Sequence, residues 1–130
     1  MATTTQARRK GVTLTEHQLQ VLVFRWAALA MRAYPDLRWM FAVPNAGKRT
    51  PQQGRWMKAE GLRAGVPDVW LPVPRGGAPG LVIEHKIGRK QLTDEQAQWA
   101  VGLDRLGWRV VVSRSFEDSR LAIVNYLEGR

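Results

Sequence analysis

At 130 residues the chain has room for one domain with a real core and little for a second. Lysine and arginine total 20 against 11 aspartate and glutamate, a formal charge of +9, which points to a polyanionic partner and first to nucleic acid. The charge is spread along the chain rather than gathered on one amphipathic helix, which argues against an anionic membrane surface. No apolar run approaches the roughly 20 residues of a membrane span. The absence of cysteine excludes a disulfide framework, a thiolate metal site and a cysteine nucleophile. It fits, without requiring, a reducing compartment such as the cytoplasm.

Residues 1–12 are Thr-rich and then basic at Arg8, Arg9 and Lys10. They lack an apolar signal core and read as a flexible basic tail ahead of one domain over 13–130. In that domain Leu19, Leu22, Val23, Trp26, Ala27 and Ala30 recur at helical spacing, predicting a helix over Leu14–Tyr34. Thr13 and Glu16 form a capping-box pattern at its start, and Pro35 ends it. Arg38–Val43 is a short apolar run that predicts a strand, followed by a turn with cations at Lys48 and Arg49. Pro51–Glu60 reads as a short helix with proline in its first turn.

Asp68–Val73 predicts a strand, 74–80 a Gly/Pro-rich loop, and Leu81–Ile87 a second strand antiparallel to the first. Leu92–Leu106 predicts a helix opened by Thr93, with Gln96 three residues on, and closed by Gly107. Trp108–Ser113 predicts a strand parallel to its predecessor, and Phe116–Leu127 a last helix. The fold class is therefore α/β, a mixed β-sheet flanked by helices.

The segment with chemical content is Pro67-Asp68 followed, across the hairpin, by Glu84-His85-Lys86. Strand alternation puts Glu84 and Lys86 on one face and His85 on the other, and Asp68 falls beside Glu84. Two carboxylates and an ammonium then converge. Hard divalent cations such as Mg²⁺ take one or two carboxylates together with water and phosphate oxygens. The neighbouring lysine suits charge that develops on phosphorus oxygens. An isolated E-x-K pair is usually a solvated ion pair. Here the flanking Leu81, Val82, Ile83 and Ile87 make the strand internal.

The other candidates each carry a plainer explanation. Glu16 and Gln96 are explained by capping boxes alone. Gln20 lies on the Glu16 face and reads as a solvated glutamine. Alternation turns the His85 ring away from the carboxylates, so a buried histidine packed towards a helix is favoured over an imidazole ligand, and leucine there is expected to be tolerated. Asn45, Lys48 and Arg49 in their turn, and Arg89 and Lys90 after the lysine strand, are either solvated or hold phosphate. Most of the six tryptophans sit at apolar periodic positions. Trp56, beside Arg55 and Lys58, is the one placed to face DNA. Trp39, Trp70, Trp99 and Trp108 offer more aromatic surface than so small a core obviously needs, which favours a homodimer.

Pro67-Asp68 with Glu84-x-Lys86 is the PD-(D/E)XK nuclease signature, and the chain resembles the virus-type replication-repair nuclease (VRR-Nuc) family. The matching stretches are 43–49 (VPNAGKR), Gly61 with 65–68 (GVPD), 83–86 (IEHK) and 92–96 (LTDEQ). The resemblance runs roughly from Thr13 to Leu127. It implies a restriction-endonuclease-like core and Mg²⁺- or Mn²⁺-dependent endonucleolytic cleavage of DNA. Asp68 and Glu84 would be metal carboxylates, Lys86 the catalytic lysine and the His85 main-chain carbonyl a further ligand. Glu16 and Gln96 match polar positions near the family's site. The resemblance further implies a small symmetric homodimer favouring branched or four-way-junction DNA, in a bacterial or phage-infected cell. The usually apolar position between the glutamate and the lysine is occupied here by His85. A non-catalytic DNA-binding module that kept the fold is the alternative.

Overall fold

The computed structural model describes residues 13–44 and 50–130. The basic tail, and the candidate phosphate-holding residues Asn45, Lys48 and Arg49, lie outside the described residues.

Helix α1 spans Glu16–Ala30. Its N-cap is Thr15, whose hydroxyl accepts from the Gln18 amide at 3.0 Å while Gln18 Oε1 accepts from Thr15 N–H at 2.9 Å. The capping box is therefore Thr15/Gln18, not Thr13/Glu16, so capping does not explain Glu16. Leu19, Val23 and Ala27, spaced i, i+4, are its buried stripe. The expected strand over 38–43 is cut short at its start, where Arg38 and Trp39 end a 3-10 turn, Pro35–Trp39, because Pro35 starts a new helical turn rather than a strand. Only Phe41–Ala42 forms strand β1. Helix α2, Pro51–Ala59, carries a capping box of Thr50 and Gln53.

Strands β2 (Val69–Leu71), β3 (Leu81–His85) and β4 (Arg109–Ser113) complete a sheet of order β1-β2-β3-β4. β1–β2 and β2–β3 are antiparallel and β3–β4 is parallel, as the sequence predicts for the hairpin and the crossover. β2 is shorter than expected because Pro72 and Pro74 cannot donate to a ladder. The crossover helix α3 is Asp94–Arg105, and the last helix, α4, is Phe116–Leu127.

β3 is buried along its whole length. Leu81 and Ile83 join the core with Leu19, Val23, Ala27, Val69, Leu71, Ile123 and Tyr126, so α1 and α4 cover one face. Tyr126 satisfies its buried hydroxyl by donating to the Val73 carbonyl at 2.6 Å. The alternate residues Val82, Glu84 and Lys86 point to the α3 side.

Two glycines fix close approaches. Trp70 and Trp108 pack edge to face at 5.0 Å, over a Gly80 whose missing side chain would lie 2.4 Å from the Trp108 ring. Gly65 (φ +84) lets the chain before β2 abut the start of α3, where a Cβ would come 2.5 Å from the Glu95 backbone.

Candidate active site

The β2–β3 register pairs Val69 with Ile83, so one further step sets Asp68 opposite Glu84 on the same face. Asp68 is positioned by the sheet itself. Its carboxylate Oδ2 accepts from the His85 main-chain N–H at 2.8 Å, and its carbonyl accepts from Val43 N–H at 2.8 Å. The sequence gives no sign of the first bond, because it depends on how far the β2 ladder runs before Asp68 turns in. Glu84 and Lys86 are each 7% exposed. Glu84 Oε2 accepts from Gln96 Nε2 at 3.0 Å.

Gln96 performs two tasks. Its Oε1 accepts from Thr93 N–H at 2.9 Å, closing the cap of α3, while its amide nitrogen holds Glu84. The capping and site readings of this residue are both satisfied by one side chain. Glu16 sits at the first turn of α1, and its Oε2 accepts from Ile87 N–H at 3.3 Å and lies 3.7 Å from Lys90 Nζ. It thereby clasps the end of β3 to α1 and pairs with the exposed Lys90. Glu16, Asp68 and His85 also line one cleft of about 330 Å³ with Gln20, Val43 and Pro44.

Burial pushes the Glu84 carboxyl up to about 8, and the neighbouring Asp68 reinforces the shift through its charge and a hydrogen bond. Lys86 opposes the shift and Glu16 adds to it. The Lys86 ammonium forms no hydrogen bond or ion pair among the described residues. Two facing carboxyls in a buried setting are the donor set that a divalent cation relieves and that Mg²⁺ accepts, with water and phosphate filling the other positions. Among the described residues no third aspartate, glutamate, histidine or cysteine completes an all-side-chain metal cage. Asp68 and Glu84 therefore fit an open, oxygen-only site.

His85 lies on the opposite face, as alternation requires, and is 1% exposed. Its Nε2 is 2.9 Å from Ser119 Oγ and its Nδ1 is 3.3 Å from Gln20 Oε1. Ser119 Oγ is 2.6 Å from Ser113 Oγ, which donates to the Ser115 carbonyl at 2.9 Å. Hydrogen counting along this chain has Ser119 donating to Ser113 and the ring donating from Nε2 to Ser119. Burial holds the imidazole below its usual range. A neutral ring then takes a hydrogen bond at Nδ1 from the Gln20 amide turned by half a turn. Gln20 is thus a partner of a buried histidine and not a solvated residue. Leucine at 85 would strip partners from Gln20 and Ser119, so the expectation that it is tolerated without cost is corrected.

Of the remaining cations, Arg89 is exposed and Lys90 is partnered by Glu16. Both sit on a turn that Arg114 clamps by donating to the Gly88 and Lys90 carbonyls at 3.0 and 2.9 Å. Arg114 was not legible as part of this region, since it arrives from the far end of β4. Three of the four tryptophans read as surplus surface are used within the fold. Trp70 and Trp108 pack together, and Trp99 Nε1 donates to the Ala64 carbonyl at 3.1 Å. Trp39 stays 53% exposed.

The VRR-NUC domain profile matches residues 15–117 of this chain. The chain belongs to the VRR-NUC family. A solved structure described as a VRR_NUC domain protein superposes with a TM-score of 0.74 at 26% identity, covering 91% of this chain and 92% of that one. No curated protein matches the chain. VRR-NUC domains are nuclease domains, and the architecture is the restriction-endonuclease-like α/β fold that the sequence predicts. Nucleic acid is accordingly the substrate class of a VRR-NUC site. Among the described residues no helix is long and apolar enough to cross a membrane.

Proposed function

We propose that this VRR-NUC protein is a Mg²⁺- or Mn²⁺-dependent DNA endonuclease selective for branched DNA, with the four-way junction as favoured substrate. The observation that carries the catalytic reading is the facing pair Asp68 and Glu84 beside Lys86, which is 7% exposed and whose charge acts on Glu84. Asp68 and Glu84, with the His85 main-chain carbonyl, would hold the cation. When bound, such a cation supplies charge neutralisation at the phosphate and acidifies water.

The chain's own groups do the remaining work. The His85 N–H and Gln96 amide fix one carboxylate oxygen each, so the pair is oriented before substrate arrives. Lys86, on the same face as Glu84, orients the attacking water or stabilises negative charge on the phosphoryl oxygens. Glu16 holds Ile87 N–H and so keeps the end of the lysine strand in place. Arg89 and Lys90, and Asn45, Lys48 and Arg49 from the sequence, are assigned to phosphate contact.

Cutting both strands of a branched duplex calls for two sites in fixed relation, which a symmetric homodimer supplies. Trp39, at the end of the 3-10 turn, and Phe41, on the edge strand β1, remain exposed for such contact. Light scattering in moderate salt without DNA distinguishes the monomer mass from twice that mass.

The deciding experiment incubates the protein with plasmid, flap and four-way-junction DNA in Mg²⁺, Mn²⁺ or EDTA. Cleavage of the branched substrates with either metal and none in EDTA is expected. Binding without cleavage under all metals would leave a DNA-binding module that kept the fold, and equal cutting of linear duplex would remove the structural selectivity.

A further inference from the structure

Helix α2 contributes no buried residue. A helix of nine residues with nothing buried has little reason to persist from packing, yet it is capped at its start by Thr50 and Gln53. It closes with Gly61 N–H donating to the Lys58 carbonyl and Leu62 N–H to the Met57 carbonyl. Its most conspicuous side chain is Trp56, 61% exposed. That indole makes no ring contact or cation contact among the described residues, whereas the other strongly exposed tryptophan, Trp39, lies beneath the Arg38 guanidinium. Arg55, Lys58 and Arg63 are exposed as well, and none forms an ion pair among the described residues; Arg55 and Lys58 are i, i+3 neighbours, and Trp56 lies one step round the helix from Arg55.

The placement of α2 gives this surface meaning. The helix lies on the connection from β1 to β2, and that connection leaves and rejoins the sheet at the end that carries Asp68. On the outgoing side Val43 is bonded to the Asp68 carbonyl, and Val43 and Pro44 line the cleft shared with Glu16 and Asp68. On the return side Gly65 abuts Glu95 and Gln96, and Ala64 is held by Trp99. Gln96 is the residue that holds Glu84. The described residues on either side of α2, Val43 and Pro44 before it and Ala64 and Gly65 after it, thus border the carboxylate site, while Trp56 on the helix itself is exposed.

We infer that the exposed surface of α2 binds an unpaired stretch of the nucleic-acid substrate beside the cut, with Trp56 stacking on a splayed base and Arg55 and Lys58, further round the helix, holding phosphates of the same strand. A duplex hides its base faces within the stack. A projecting indole therefore gains most from a base that is already unstacked, as at a flap, gap or branch point. The cations favour a polyanion over an apolar or basic protein surface. The inference rests on the nuclease reading for its substrate and supplies that reading with a source of preference for branched over linear DNA.

The test measures binding in EDTA, where no cleavage is expected, by fluorescence anisotropy of a dye-labelled oligo-dT, a flap and a blunt duplex. The full chain is compared with Trp56→Ala, Trp56→Tyr and the double variant Arg55→Gln/Lys58→Gln. Trp56→Ala is expected to weaken oligo-dT and flap binding about ten-fold, with an unchanged salt slope and duplex binding within about two-fold. Trp56→Tyr, which keeps a stacking ring, is expected to retain most of the affinity. The double variant is expected to weaken all probes and flatten the salt slope. Wild-type affinity of Trp56→Ala for oligo-dT and flap overturns the inference. So does an equal loss on duplex, which would make Trp56 a duplex wedge. Wild-type cleavage with Mg²⁺ is scored separately. Intact cleavage without a Trp56 effect removes this inference alone, and a Trp56 effect without cleavage removes the catalytic reading alone.

Discussion

Strand β3 has no exposed residue and helix α2 has no buried one. β3 carries Glu84, and the described chain on either side of α2 borders the same site, so the difference separates two demands on a nuclease. Groups that act on a scissile phosphate must be held within fractions of an ångström, which only packed, hydrogen-bonded side chains achieve. A surface that meets substrates of variable shape gains from being anchored at its ends and free between them. β3 meets the first demand at an electrostatic cost, since it buries Glu84 and Lys86 and faces Glu84 with Asp68. α2 meets the second by relying on caps rather than on packing.

The largest effects should come from β3 and its partner. Glu84→Ala or Asp68→Asn is expected to lower cleavage by at least about a thousand-fold while DNA binding persists or tightens, because phosphate repulsion is relieved. Cleavage of junction DNA and gel-shift binding in Ca²⁺ or EDTA measure the two separately. Wild-type cleavage by Glu84→Ala would move the site elsewhere. Lys86→Met is expected to reduce turnover by roughly two to four orders of magnitude with metal binding nearly intact. Single-turnover rates at saturating metal measure it, and an unaltered rate would reduce Lys86 to a counter-charge for the carboxylates.

The same burial gives the metal-free protein a pH signature. Glu84 titrates at about 8 in the fold against 4.5 for an ordinary glutamate. A carboxyl whose value rises on folding binds its proton more tightly in the folded state. Its contribution to stability is complete below the unfolded value and is lost as pH climbs through the folded one. Thermal melts in EDTA should therefore fall between about pH 5 and pH 8.5. Glu84→Gln, which cannot ionise, should flatten that fall, and saturating Mg²⁺ should restore stability at the alkaline end. A Glu84→Gln melt profile parallel to wild type would show that other groups set the slope.

A smaller effect is expected on the far face of β3. His85→Leu removes a ring that serves Ser119 and Gln20, and should cost about 1–3 kcal/mol in denaturant unfolding. Combining it with Ser119→Ala should give less than the sum of the single losses, since the two side chains share one bond. Strict additivity would show that the ring and the hydroxyl act independently.

The order of strands, the hairpin, the crossover helix and the convergence of Asp68 with Glu84 were legible because each follows from local pattern: alternation in Leu81–Ile87, Thr93 and Gln96 bracketing a helix start, and a Pro-Asp before a strand. What was not legible depends on distance in the chain. Gln20 and Ser119 meet His85 across 65 and 34 residues, and no local rule pairs them. The α1 cap fell two residues later than the pattern at Thr13 indicated, because Thr15 and Gln18 satisfy the same spacing. The surplus of tryptophan was misread in part, since Gly80 opens a slot for the Trp70–Trp108 pair that composition does not reveal.

The smallest expected effect tests α2 itself. Gly54 lies in the interior of this helix, and a Cβ built there meets nothing within 4 Å. Glycine in a helix interior costs roughly 0.5–1 kcal/mol relative to alanine, mainly through backbone entropy. Gly54→Ala should therefore stabilise α2 by about that amount without touching any neighbour. How the gain is expressed depends on coupling. If α2 were welded to the core, the increment would appear in the global unfolding free energy, as it would for any core helix. A helix with no fully buried residue opens locally at lower cost than the whole domain. The gain should then appear as slower amide hydrogen exchange confined to α2, with the global melting temperature unchanged within about one degree. A full increment in global stability would contradict the independence of α2 from the core. Unchanged exchange in α2 with an unchanged melt would mean that the helix is held by contacts other than its own propensity, and the contrast with β3 would fail at its weaker side.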